Sequence, residues 1–517
     1  MFAPPGKTAK DDVRSVIKFF RLRQGFSKQV LDEAEAVDCK VSARGRLDLR
    51  RKFIFTCDPQ SARDFDDALS LETDRKGNRI LGVHIADVSH YVRPGSAIDK
   101  EAYRRGTSVY LCDTVLPMLP EALCDGMCSL VPGEDRYAFS VFMTFDKEGR
   151  MTAHRFAKSV IKSKMRFTYE QVMKIIRGGE DKALKLKKPE LRTVREIHAL
   201  AQQLRSARFA AGALDIAIPE MEVVLDAQGE MAGLKAVPYD ESHQMIEECM
   251  VAANEAVAKE LWQKGVRIIA RFHDKPDPEK LDLLRAELRG LGVRMGNIEN
   301  AKVFARFLKE IKSHPLYSTI SVMILRSMKR AVYDGAAMGH YGLAKTYYAH
   351  FTSPIRRYPD LTLHRQLADY LERTSQNLRP RKVPPKTLAE WSRHLSETEQ
   401  TAADAERALV EIKKYRLLEE ELASRVPIVY EAVIEKCTNF GCFVSVPELA
   451  VSGLVHVSNL SNRFLRFNMH DQTLGHFRSG DKLKVVVARV DMRKRKIDFM
   501  PVQEGKKGGR EKWNSRY

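Results

Sequence analysis

The sequence predicts a mixed α/β (α+β) body followed by a small all-β barrel, and three observations carry that prediction. Between about residues 53 and 89 apolar positions alternate with period two; from about 168 to 425 they recur at helical spacing; and five short β-type runs crowd into the segment between Pro427 and Pro501. A chain of 517 residues also exceeds what one hydrophobic core of ~250 to 300 residues organises, so two or three domains are expected.

Taken in order, residues 1–44 form a helical lead segment, with two short helical stretches between residues 11 and 37 that part near Gly25. A basic run, Arg44 to Lys52, then enters the apolar strand Phe53-Ile54-Phe55. The runs Ala68 to Leu71 and Ile80 to Ile85 flank Asp74-Arg75-Lys76-Gly77-Asn78, which reads as a hairpin turn. This opens a main domain over 45–425, in which the helical part is broken by a strand near Glu222 to Leu225 and by the Gly-rich stretch Gly335 to Gly342. Leu388 to Ala423 is one long charged amphipathic stretch, a packed terminal helix or interdomain connector rather than a coiled coil. The five runs of the last domain, 426–503, are Ile428 to Lys436, Cys442 to Val446, Leu454 to Ser458, Leu483 to Asp491 and Lys496 to Met500; five strands in so short a segment suggest an OB-type barrel. Residues 504–517, with Lys506, Lys507, Arg510, Lys512 and Arg516 among glycines, read as a disordered basic tail.

Composition narrows the partners. Lys plus Arg number 87 against 68 Asp plus Glu, a net charge of +19, which favours a polyanion: nucleic acid or an acidic membrane surface. The eight cysteines are too few and scattered for a disulfide framework, and neither Cys124 to Cys128 nor Cys437 to Cys442 has the spacing of a zinc knuckle; they read as reduced, mostly buried thiols. The N-terminus has no apolar leader and no run of ~18 apolar residues occurs, which points to a cytoplasmic chain with no membrane partner.

Against this basic background, Asp58, Asp64, Asp66 and Asp67 place four carboxylates within ten residues, where the chain average predicts about one. Four converging carboxylates repel one another and resist desolvation unless a hard cation compensates them, and Mg2+, with Mn2+ as the alternative, prefers such oxygen ligands. Pro59 ends the strand, so Asp58 sits at its tip while Asp64, Asp66 and Asp67 curl back. A calcium loop fails: counting from Asp58, Gln60, Ala62, Arg63 and Leu69 occupy the third, fifth, sixth and twelfth positions. A solvated acidic loop and a catalytic site for a hard metal both remain open on composition.

A second constellation, His350-Phe351-Thr352-Ser353-Pro354-Ile355-Arg356-Arg357-Tyr358-Pro359-Asp360, precedes a helical run from Leu361 to Leu371. Pro359 suits the start of that helix, so Arg356 and Arg357 lie at a helix N-terminus, where they either clamp a phosphate or pair with core carboxylates. A third piece, His243 through Asn254, is helical with an apolar stripe through Ile246, Met250 and Ala253; Glu247 and Asn254, seven apart, share a face. Read alone, Glu247 and Glu248 are the wet side of that helix.

These segments, in this order, closely resemble the catalytic domain of the ribonuclease II and ribonuclease R family. The likeness spans roughly residues 45–425 and rests on Thr56-Cys57-Asp58-Pro59 with Asp64-Phe65-Asp66-Asp67-Ala68, Ile85 to Ser89, Arg105 to Tyr110, Met118-Leu119-Pro120, Cys128-Ser129-Leu130, Glu247-Glu248 through Asn254, and Tyr347 to Tyr358. Asn439 to Val444 and Gly453 to Ser458 resemble the RNA-binding OB domain of the ribosomal S-one type. The resemblance implies processive 3′-to-5′ hydrolysis of single-stranded RNA to nucleoside 5′-monophosphates, by a monomer that takes part in RNA decay and can associate with its machinery. It implies Mg2+ at Asp58, Asp64, Asp66 and Asp67, and Arg356 as the catalytic arginine. Tyr110 and Tyr169 match positions that hold terminal nucleotides, and Glu247 one that contacts the terminal ribose; Asn254, Arg357 and, in the barrel, Phe440, Phe443 and His456 are further expected substrate contacts. Tyrosine faces suit this, since a base stacked on one gains ~1 to 3 kcal/mol without its sequence being read.

Three departures qualify the likeness. The family normally carries two cold-shock-type OB domains before the catalytic domain, and about 45 residues cannot hold one: either the chain is a truncated form or its lineage has dispensed with them, and RNA capture is expected to lean on the barrel, the basic surface and the tail. Ile216 stands where a phenylalanine commonly sandwiches the terminal bases, which predicts a looser grip. Cys57 replaces an aliphatic residue beside Asp58 and would open the site to oxidation were its thiol accessible. The competing readings are an RNA-binding protein on a dead nuclease scaffold and a DNA-directed or endonucleolytic phosphodiesterase.

Overall fold

The structure is a computed structural model, and it describes residues 3–6, 8–112, 114–179, 184–216, 221–227, 229–296, 300–314, 316–424, 426–461, 463–469 and 473–502. The expected tail, 504–517, and part of the basic stretch Lys182 to Lys188 lie outside the described residues.

Among the described residues nine strands precede the helical part: β1 Leu47–Asp48, β2 Phe55–Cys57, β3 Asp67–Thr73, β4 Arg79–Ala86, β5 Val109–Leu111, β6 Thr114–Leu116, β7 Asp135–Phe145, β8 Met151–Lys162 and β9 Met165–Phe167. Seven of them form one sheet in the order β1-β8-β7-β4-β3-β2-β9, while β5 and β6 make a separate hairpin. The hairpin expected around Asp74 to Asn78 is β3 and β4, with Asp67 opposite Ile85. Asp74 fixes that turn by accepting from the backbone N–H groups of Lys76 and Asn78, each at 2.8 Å.

The strand expected over Phe53 to Phe55 begins two residues later, because the carbonyl of Ile54 is used by Lys164 and parallel pairing with β9 starts at Phe55. The two longest strands, β7 and β8, are absent from the sequence reading. β7 sits mid-sheet and is buried on nearly every residue from Tyr137 to Met143, so its apolar run carries no alternation to mark it as a strand.

The helices Lys188–Ala210 and Glu241–Gln263 cover one face, where Val194, Ile197, Cys249, Ala253 and Val257 pack on Leu69, Val83, Ile85, Val141 and Phe167. The helix Pro385–Ser424 serves three cores in turn. Leu388 and Leu395 enter the core on the other side of the sheet; Ala402, Ala405, Leu409 and Ile412 pack against Val16 and Ile17 of the lead helix Ala9–Phe19 and against Val109 and Leu111; Tyr415 and Leu418 close the barrel core. It is therefore packed helix and interdomain connector at once. Buried Asp12 fastens the lead segment to it through Arg416, whose Nη2 donates to Asp12 at 2.7 Å and to the carbonyl of Gly6 at 2.7 Å.

The barrel is closed, with strands Tyr430–Thr438, Gly441–Val446, Val451–His456, Lys482–Asp491 and Lys496–Pro501. Gly441 has φ +152°, and a Cβ there would stand 2.3 Å from the carbonyl oxygen of Val455, so the turn that presents Phe440 tolerates only glycine. Cys437 and Cys442 are buried opposite neighbours across the first two strands. Among the described residues no helix is long and apolar enough to cross a membrane.

Candidate active site

The acidic segment is held at both ends. Asp58 follows β2, its N–H donating to Phe167 of β9 at 3.1 Å, and Asp67 opens β3. Between them the loop is shaped by Arg166, whose Nη2 donates to the carbonyls of Pro59 at 2.7 Å and Gln60 at 2.9 Å while its guanidinium lies over the Phe65 ring. Ser129 accepts from the Phe65 N–H at 3.0 Å and donates to the Arg63 carbonyl at 3.1 Å. These two pins make the loop a fixed scaffold. Nothing in the linear pattern announced Arg166, which lies about a hundred residues away from the carbonyls that it holds.

Asp66 joins this loop to the arginine-bearing segment. Its Oδ1 accepts the Ile355 N–H at 2.9 Å, and its Oδ2 lies 3.8 Å from Arg356 Nε. The neighbouring segment Gly106 to Ser108 pairs with the same loop: Ser108 N–H and Thr107 Oγ1 both donate to the Arg356 carbonyl at 3.0 Å, and Tyr358 N–H donates to Gly106. Tyr110, two residues on and 39% exposed, thereby comes into the field of Asp64, Asp66 and Arg356. Tyr169 lies on the other side, near Asp58 and Asp67, stacked on His243 with centroids 3.8 Å apart at 17°. As expected, Thr168 and Gln171 form the capping box that starts its helix.

Arg356 and Arg357 divide between the two readings left open above. Arg357 is committed to buried Asp360, donating from Nε at 2.9 Å and Nη2 at 2.7 Å, and Asp360 also accepts the Ser353 N–H. Among the described residues Arg356 reaches only the Ser353 hydroxyl at 3.0 Å and the distant Asp66, and its side chain stays 43% exposed. Of the two, Arg356 is the one available to an anion, while Arg357 braces the loop.

Asn254, an expected substrate contact, is instead 3% exposed and its amide is used twice: Oδ1 accepts the Phe351 N–H at 2.8 Å and Nδ2 donates to the Tyr348 hydroxyl at 3.2 Å. It holds the arginine-bearing loop rather than facing a ligand. Asn254→Ala leaves both partners buried and unpaired, so we expect a stability loss of about 2 to 4 kcal/mol, read from the urea midpoint.

Glu247 accepts from Arg208 Nη2 at 3.0 Å and from the Tyr239 hydroxyl, and it is half-buried. Glu248 is not on a wet face: it is 2% exposed beneath Arg208. Ile216 packs with the apolar cluster around Leu281, Leu284 and Phe304 and offers no stacking face. Cys57 is buried and its thiol is pushed well up by burial, so the open, ionised thiol that oxidation needs is not present. On the barrel, Phe440 and Phe443 form an exposed edge-to-face pair at 5.9 Å, and His456 stands in register with Gly441 on the adjoining strand.

Burial raises all four aspartates above the ordinary carboxylate range, and for Asp67 the charge of Asp58 adds to it. Asp58 Oδ2 is buried with no hydrogen-bond partner. An orphaned oxygen among mutually repelling carboxylates, partly compensated by Arg166, Arg356 and Arg357, fits a hard divalent cation. No three His, Cys, Asp or Glu side chains among the described residues close into a finished cage.

A basic chain with carboxylates, an available arginine and tyrosines at one end of a sheet, and a small RNA-binding type of barrel behind it, defines a phosphodiester-processing class of protein. The RNB domain family profile matches residues 46–373 and the S1 RNA binding domain profile 428–500; the chain belongs to the RNB family of exoribonucleases. It is similar to ribonuclease R of Thermotoga maritima, 41% identical over 93% of this chain and 68% of that one, and to ribonuclease R of Escherichia coli, 37% identical over 92% and 58%. The chain thus spans about three fifths to two thirds of the length of these relatives. The solved apo form of Mycoplasma genitalium RNase R superposes with a TM-score of 0.86 at 27% identity, covering 96% of this chain and 78% of that one; that protein has also been solved with ribose-methylated single-stranded RNA.

Proposed function

We propose that the chain is a Mg2+-dependent, processive exoribonuclease that hydrolyses single-stranded RNA from the 3′ end to nucleoside 5′-monophosphates. The observation that carries this is the junction at Asp66, where the acidic loop and the Ile355–Arg356 backbone are bonded directly, which brings a half-exposed, weakly engaged guanidinium beside the carboxylates. The RNA complex of the Mycoplasma genitalium protein supports the substrate class.

In this reading Tyr110 and Tyr169 stack the terminal bases, Glu247 accepts from a ribose 2′-hydroxyl, and Arg356 donates to the scissile phosphate as charge develops on it. Asp58, Asp64, Asp66 and Asp67 hold the metal, whose chemistry when bound is to polarise the phosphoryl oxygen and acidify the attacking water. Water adds to phosphorus and the P–O3′ bond breaks; the shortened RNA keeps the 3′-oxygen as a hydroxyl and the released nucleotide keeps the phosphate. The Phe440, Phe443 and His456 face of the barrel would grip RNA upstream by stacking.

The test is a pair of labelled oligonucleotides, one RNA and one DNA of matched sequence, incubated with Mg2+ or with chelator. Mononucleotides from RNA with Mg2+ alone are expected; internal cuts, or equal digestion of DNA, would overturn the assignment.

Metal binding should also appear in stability. The raised aspartates bind protons in the fold that the unfolded chain has already released, so without metal, stability falls as pH climbs from mildly acidic to mildly alkaline. Mg2+ must displace those protons. The expected result is a rise in Tm on adding Mg2+ that is larger at mildly alkaline than at mildly acidic pH, and absent in Asp58→Asn.

A further inference from the structure

Glu247 and Glu248 are adjacent carboxylates on the helix Glu241–Gln263, and a single guanidinium serves both. Arg208, near the end of the helix Lys188–Ala210 and 6% exposed, donates from Nε to both Glu248 oxygens at 3.1 Å and from Nη2 to Glu247 Oε1 at 3.0 Å. Arg205 Nη1 adds a longer contact to Glu248 at 3.5 Å, so the buried carboxylate is the more heavily neutralised of the two. The second oxygen of Glu247 accepts from the hydroxyl of Tyr239, a residue whose ring is half exposed.

Each Glu247 oxygen therefore has one donor from the protein and keeps further acceptor capacity. An ionised carboxylate accepts and cannot donate, so what it lacks is a hydroxyl or an N–H. Its position beside the aspartates follows from the helix: His243 lies one turn earlier, stacked on Tyr169, and Tyr169 feels the charges of Asp58 and Asp67. The carboxylate thus belongs to the wall that would flank the sugar of a nucleotide stacked on Tyr169.

We propose that Arg208 and Tyr239 are positioning residues that hold Glu247 in one orientation, and that this clamp sets the preference for ribose over deoxyribose; buried Glu248 is the counter-charge that fixes Arg208. The inference rests on the reading of Glu247 given above. A glutamate free to rotate would meet the 2′-hydroxyl only part of the time, whereas a tethered one presents its acceptor already in place.

The test uses the full chain and two labelled oligonucleotides that differ only in the 2′-oxygen of the 3′-terminal nucleotides, read as the ratio of kcat/KM values. Tyr239→Phe, which removes one hydroxyl from a half-exposed ring, is expected to lower the ribose-to-deoxyribose ratio about threefold with no change in Tm, and Arg208→Lys about tenfold. A purely structural role for these residues would slow both substrates alike. An unchanged ratio in both variants, with Glu247→Ala collapsing it, would overturn the clamp alone; an unchanged ratio in Glu247→Ala would overturn the clamp and the reading of Glu247 together.

Discussion

Asp67→Asn should abolish mononucleotide release, by about a thousandfold or more in kcat, while leaving RNA affinity within about twofold and thermal stability the same or higher. The three readouts follow from one position. Asp67 opens β3, and burial together with the Asp58 charge raises its carboxyl above the usual range. Asn keeps the shape and removes a charge that the metal-free fold holds at a cost, so repulsion falls and stability does not. The same change removes an ionised oxygen from the set proposed to hold Mg2+. RNA affinity is expected to persist because the stacking tyrosines, the barrel and the basic surface are untouched, and because phosphate contacts by Lys and Arg dominate binding to a polyanion. Product formation by nuclease assay, affinity by filter binding and Tm by calorimetry check the three parts. Wild-type release by this variant would remove Asp67 from the reaction, whereas a lost affinity would make it a binding residue.

The pieces of this site differ in how legible they were. The aspartate cluster stood out because acid density is a local property, and the barrel because five short strands leave a periodic trace. What surrounds the cluster was not legible, because its contacts cross long stretches of chain. Arg166 reads as one basic residue in a short strand, and only the pairing of β9 beside β2 carries it under the carbonyls of Pro59 and Gln60. Helical phase correctly gave Glu247 and Asn254 a common face, but phase is blind to depth: Asn254 is deeper than Glu247 and is spent on Phe351 and Tyr348. The same blindness assigned Glu248 to solvent, since no local pattern shows that Arg208, forty residues earlier, is buried above it. β7 escaped notice for a related reason. A strand covered on both faces shows no alternation.

Arg356→Lys should lower kcat by about a hundred- to a thousandfold with KM within a few-fold and Tm unchanged, whereas Arg357→Lys should show the reverse weighting, with stability falling first. The sequence presents the two as an interchangeable pair, and their partners separate them. Arg357 is locked in a two-point bond to Asp360, which also accepts the Ser353 N–H, so shortening it to a single ammonium breaks a buried fork and leaves carboxylate capacity unfilled. Arg356 contributes little to the resting fold: one bond to the Ser353 hydroxyl and a 3.8 Å approach to Asp66. A side chain so weakly engaged is worth little to stability. Its engagement is expected only when a phosphoryl group arrives and its equatorial oxygens gain charge, where a guanidinium offers two parallel donors and an ammonium one. Loss confined to the transition state lowers kcat and kcat/KM together and spares KM. Single-turnover rates at saturating RNA, set beside urea midpoints for both variants, measure the two weightings directly. A large fall in Tm for Arg356→Lys with little change in rate would assign that arginine to the scaffold and leave the phosphate without its cation.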